Sequence, residues 1–135
     1  MRLKRTLFIT LLFIAIGTVM ELYLLEHYED RLQLIPIVCI ALLLVLVIVL
    51  RFQKSKVLEW IYKLVLLLTS ASGAYGVFLH LNANYEFEQE MRPSAKAWDL
   101  FVESLSGALP TLAPASMIVL ALIGYSYLTL LKQQQ

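Results

Sequence analysis

The residues best suited to chemistry in this sequence are carboxylates and imidazoles at the ends of long apolar runs. Glu21 lies about one helical turn before the first run ends, and His80 closes the third. An ionisable side chain at that depth is costly unless it is paired, protonated or drawn out to water, so each is a functional candidate. If the third run continues as helix, His80, Asn84 and Glu88 follow at i, i+4 and i+8 and share one face. Carboxylate beside imidazole can hold a divalent cation, relay protons or bind a cationic ligand. Glu21, His80, Asn84 and Glu88 are therefore the candidate ion, proton or ligand site, with Glu21 and His80 as its expected pair. Glu26, His27 and Asp30, in the polar turn after the first run, form a weaker set. Whether a metal binds stays open, because the chain has no HExxH pair or EF-hand loop. The competing reading is a solvated acidic rim, with Glu21 and His80 reaching out to headgroups or water.

The elements that position these groups follow from composition. Of 135 residues, 60% are hydrophobic and only 16% charged, against about 25% in soluble domains, which points to a membrane protein. Four apolar runs, about 7–25, 33–50, 57–81 and 112–131, are each long enough to cross a hydrocarbon core about 30 Å thick. The fold expected is all-α: one domain over 1–135, a four-helix transmembrane bundle. MRLKR followed by a 19-residue apolar run would resemble an export signal, but a run of that length, ~28 Å as helix, predicts a retained span. Pro36 near the start of the second run predicts that regular helix begins close to Ile35, or kinks there.

The third run differs from the others in its row of small and polar residues. Thr69, Gly73, Gly76 and His80 are spaced four, three and four, which places them on one stripe. Ser116, Leu120 and Gly124 give the fourth run a narrow face. Helices in lipid associate where small residues let backbones approach, so Thr69, Gly73, Gly76 and Gly124 are the expected packing positions. Glu59 and Lys63, at i and i+4, are expected to form a local ion pair.

Between the third and fourth runs lies the longest polar segment, residues 82–111. Ser94 after Pro93 is a plausible N-cap and Gly107 a plausible stop. Trp98, Phe101, Val102 and Leu105 recur at three and four, predicting a short amphipathic helix that lies on the membrane or caps the bundle.

Charge sets the expected orientation. Arg2, Lys4, Arg5, Arg51, Lys54, Lys56 and Lys132 fall on one side of a four-span chain, and the opposite connections are acidic. By the positive-inside rule both termini are cytoplasmic and residues 82–111 exoplasmic, in what is expected to be a bacterial inner membrane. The formal charge of +1 and the dispersal of basic residues into short flanks argue against nucleic acid. A single cysteine, Cys39, excludes an internal disulfide or a CxxC pair. With no nucleophile motif, metal signature or cofactor motif, the reading is a non-enzymatic membrane protein without a cofactor. It would act as an accessory or assembling subunit, with the bilayer and either copies of itself or other membrane subunits as partners. The alternative is a small transporter or ion-binding protein that uses Glu21 and His80.

Overall fold

A computed structural model of the chain describes residues 2–53 and 55–133, so Lys54 of the basic connection lies outside the described residues. Five α-helices follow in order: α1 (Arg2–Leu24), α2 (Arg31–Phe52), α3 (Lys56–Met91), α4 (Ala97–Ser104) and α5 (Ser116–Lys132), with a 3₁₀ turn at Ala113–Ala115 before the last. No strand occurs among the described residues. Among the described residues four segments are long and apolar enough to cross a membrane: α1, α2, α3 and Ala113–Lys132.

The ends of these helices have local causes. α1 closes at Leu24 with the His27 amide on the Leu22 carbonyl (2.8 Å) and the Glu26 amide on Tyr23 (3.1 Å). This Schellman-type stop requires a left-handed residue, and Glu26 supplies it at φ 53°. Glycine would adopt that conformation without steric cost. α2 begins at Arg31, earlier than Pro36 alone predicts. Asp30 caps the helix, its Oδ1 accepting from the Arg31 amide (2.7 Å), while Gln33 Oε1 accepts from the Asp30 amide (3.2 Å) and the Glu29 amide (2.9 Å). This capping box satisfies donors that a frayed start would leave bare, and Pro36 is accommodated within the helix.

α3 runs 36 residues, about 54 Å at 1.5 Å per residue. It stops where Pro93 forces Arg92 out of helical conformation (φ −135°, ψ 68°).

The four long helices close into a ring in which α1 packs on α2 and α5, and α3 packs on α2 and α5. Their shared core is aliphatic, centred on Leu11, Ile40, Leu43, Val47, Leu66 and Leu120, with Tyr62 and Tyr127 fully buried beside them. The ring sets two ends apart. Basic flanks gather where α3 begins and α5 finishes. Acidic connections gather at the other end, around the α1–α2 turn and α4.

Small residues permit the closest approaches. A methyl group on Gly73 would stand 2.8 Å from the Pro114 carbonyl oxygen and 2.9 Å from Met117 Cβ, and one on Gly76 would meet the Pro114 ring at 2.7 Å. Gly124 lies under Leu66 and the Tyr62 hydroxyl, and that hydroxyl donates to the Gly124 carbonyl (3.4 Å). Thr69, fully buried, turns its hydroxyl back onto the Val65 carbonyl (2.8 Å).

The amphipathic helix is shorter than its sequence signals, spanning Ala97–Ser104 instead of reaching from Ser94 to Gly107. Its buried residues are Leu100 and Ser104, which lie on the side packed against α3. The periodic stripe of Trp98, Phe101, Val102 and Leu105 is exposed.

Candidate functional site at the acidic end

Asn84 is the best-connected polar side chain at this end. It is only 3% exposed, held in the continuous α3 a turn beyond His80. Its amide nitrogen donates to the Ser104 carbonyl (3.0 Å), the Leu109 carbonyl (2.8 Å) and the Thr111 hydroxyl (3.0 Å), with two hydrogens shared among three acceptors. Its oxygen accepts from the Leu109 amide (3.0 Å). Thr111, also buried, donates to the Ser104 carbonyl (2.9 Å), and Ser104 donates to the Phe101 carbonyl (2.7 Å). Gly107 lies so close to Asn84 that a β-carbon there would overlap the amide. One side chain thus pins the whole return segment from α4 to Thr111 onto α3. Every hydrogen-bonding atom of Asn84 is spent on the protein itself.

The alignment of His80, Asn84 and Glu88 on one uninterrupted helix is present, but the three do different things. Glu88 pairs with Arg92 (2.6 Å), and the same guanidinium reaches Glu103 of α4 at 3.7 Å. The hydrogen bond that Arg92 donates to Glu88, with the nearby carboxylates, raises the Arg92 pKa further above its ordinary value. The pair is a second, weaker tie between α3 and α4, exposed and open to screening by salt.

His80 has its Nδ1 3.1 Å from the Pro110 carbonyl, an acceptor only, so Nδ1 carries a proton and donates to it. Its ring neighbour is His27, edge-on at 6.4 Å between centroids. Glu21 is exposed, and among the described residues no ion pair joins it to His80. Asp30 is occupied as the α2 cap, and Glu26 supplies the left-handed turn residue beside His27. Among the described residues no group of three His, Cys, Asp or Glu side chains is placed to hold a metal ion.

Burial lowers the His27 pKa from the ordinary 6.5, and His80 lowers it further by repulsion between the two rings. Protonating His27 is therefore harder in the folded chain than in the unfolded one. The contribution is nil well above the unfolded value. It becomes destabilising as pH falls through about 6.5 and levels off below the folded pKa. Thermal unfolding in detergent should show the parent losing stability between pH 7.5 and 5.5, with His27→Gln losing less. Identical pH dependence in the two proteins would remove the coupling.

Sequence reasoning missed the partnership of His27 with His80, 53 positions apart, and the role of Pro110 as acceptor. At the basic end it missed the ion pair of Glu59 with Lys132 (2.8 Å), which forms in place of the local pair expected with Lys63. Compared with known protein families, curated proteins and solved structures, the chain matches none.

Proposed function

We propose that this is a non-enzymatic, multi-pass membrane protein that serves as an accessory or assembling subunit of a membrane complex, docking through the cap that α4 builds at its acidic end. The observation that carries the reading is the combination of a rigidly held α4 and an uncovered apolar stripe. Asn84 fixes the segment around α4, yet Trp98 is 70% exposed. Phe101, Val102 and Leu105 lie open beside it, as do Phe87 and Met91 at the end of α3. Apolar side chains grouped on an ordered surface mark interaction sites, and tryptophan is enriched where partners meet. Replacing Trp98 and Phe101 together with Ala should weaken assembly at least tenfold without lowering the melting temperature, since truncating a central aromatic anchor costs on the order of 2 kcal/mol. Size measured in mild detergent with increasing protein concentration, and co-purification from native membranes, read the effect. Unchanged assembly in the double variant counts against the reading.

Both termini are cytoplasmic in this proposal, and the cap is periplasmic in a bacterial inner membrane, on the strength of the basic flanks. Ser94 is exposed, whereas Ser104 is fully buried and hydrogen-bonded. With Cys39 replaced by Ala, a cysteine at Ser94 should therefore react with an impermeant thiol reagent added to whole cells, and a cysteine at Gln53 should be protected. The opposite labelling would reverse the orientation.

A second reading, a small transporter or a proton- or ion-binding protein, is favoured by one observation, the meeting of His27 and His80 beside the Pro110 carbonyl. Glu21 and His80 would carry it, now with His27 beside them. His80→Ala and Glu21→Gln proteins that bind or transport as the parent does would eliminate it.

A further inference from the structure

The basic end carries a pocket that the proposed function does not use. It has a volume of about 460 Å³, opens to the outside, and is lined by Lys56, Glu59, Trp60, Lys63 and Lys132. Three lysines against one glutamate leave the lining at +2. Glu59 does not cancel this charge toward a ligand, because it is largely covered and already engaged by Lys132 at 2.8 Å. Lys56 and Lys63 are exposed at the mouth.

The start of α3 adds to the same field. Ser55 occupies the N-cap position but its side chain makes no capping bond. The Glu59 amide donates to the Ser55 carbonyl (3.0 Å). The positive end of the helix dipole lies beside the lysines. Lysines, the positive end of the helix and an open surface depression of this volume together suit a phosphate monoanion or dianion.

What surrounds the pocket selects the source of that phosphate. Lys56, Trp60, Lys63, Leu64 and Leu67 recur at helical spacing on one face of α3, so the pocket continues directly into an apolar track. Trp60, Leu64 and Leu67 are all exposed along it. A free phosphate has no use for that track, whereas a lipid needs both parts. We propose that the pocket is a binding site for the phosphate headgroup of an anionic phospholipid, whose acyl chains lie along Trp60, Leu64 and Leu67.

Trp60 is a built-in reporter. The chain has two tryptophans, and Trp98→Phe leaves Trp60 alone. The full-length Trp98→Phe protein is placed in nanodiscs of phosphatidylcholine, and Trp60 quenching is compared for brominated phosphatidylglycerol and brominated phosphatidylcholine at equal mole fraction. The anionic lipid should quench Trp60 preferentially, and Lys56→Gln combined with Lys63→Gln should reduce the preference roughly fivefold for each charge removed. Lys63→Gln alone, at an exposed position, carries the test if the double variant does not fold. Glu59→Gln should strengthen the preference, because it frees Lys132. Equal quenching by the two lipids overturns the proposal, as does a preference that survives loss of the lysines. Displacement of the lipid by millimolar inorganic phosphate overturns it in favour of a free anion.

Discussion

Asn84→Leu should release the cap while leaving the four-helix ring intact. Leucine matches asparagine in size but removes the donors to Ser104, Leu109 and Thr111 and the acceptor for the Leu109 amide. A buried polar group stripped of its partner costs about 1–3 kcal/mol, so the local penalty is on the order of 2–4 kcal/mol once water reaches part of the segment. Hydrogen exchange over residues 104–111 should rise by roughly 1.5 to 3 orders of magnitude on that scale, and proteolysis in the segment should follow. Protection in α1 and α2 should persist. Gly107→Ala should give the same result from the opposite side, because its β-carbon would overlap the Asn84 amide. Asn84→Asp is no rescue: it sets a carboxylate oxygen against the same carbonyls. Unaltered exchange in Asn84→Leu would mean that this residue is not what orders the cap.

Gly73→Ala is expected to be far more damaging than the same methyl addition at Gly124 or Gly17. Its β-carbon would press on the Pro114 carbonyl oxygen and on Met117 Cβ, atoms fixed by the backbone of the neighbouring segment. Overpacking of this kind costs about 1–3 kcal/mol, and more where the backbone cannot give. At Gly124 the nearest atoms are the ends of the Leu66 and Tyr62 side chains, which can swing aside. The cost there should be smaller, though the bond from the Tyr62 hydroxyl is put at risk. Gly17 has nothing within 4 Å of the added carbon, so Gly17→Ala should be neutral or stabilise the helix by up to about 1 kcal/mol. Unfolding of the three variants in a common detergent gives the ranking. Equal losses at Gly73 and Gly17 would contradict the packing described for the α3 stripe.

Much of this architecture was legible because it is local. Four apolar runs read as four long helices, although the third continues to Met91, past the end of its apolar run. The start of α2 was readable too, since Asp30 and Gln33 spell a capping box. Weight given to Pro36 displaced it, although the Asp30 and Gln33 side chains satisfy three backbone donors and the proline removes only one.

What escaped is non-local or depends on which side of an element meets a partner. Periodicity grouped Trp98, Phe101, Val102 and Leu105 correctly on one face of α4. It could not say that Leu100 and Ser104, on the other face, would be the ones buried against α3. Asn84 was grouped with His80 and Glu88 because the three share one helical face. Its hydrogen-bond partners lie 20 to 27 positions away, from the end of α4 to Thr111, in a segment whose return onto α3 has no periodicity to read. Glu59 likewise passed over Lys63, one turn on, for Lys132 at the far end of the chain.

The proposed role makes α4 a protein-docking platform held in place by Asn84, and site-specific photocrosslinking in native membranes tests this most directly. A photoreactive amino acid is placed at position 98, with a control at exposed Leu64 on α3. The proposal predicts a discrete protein adduct from position 98, either a second copy of this chain or another membrane subunit. That adduct should be absent from position 64 and lost when Asn84→Leu is added. Adducts to lipid alone at position 98, or a protein adduct that forms equally well without Asn84, would contradict it.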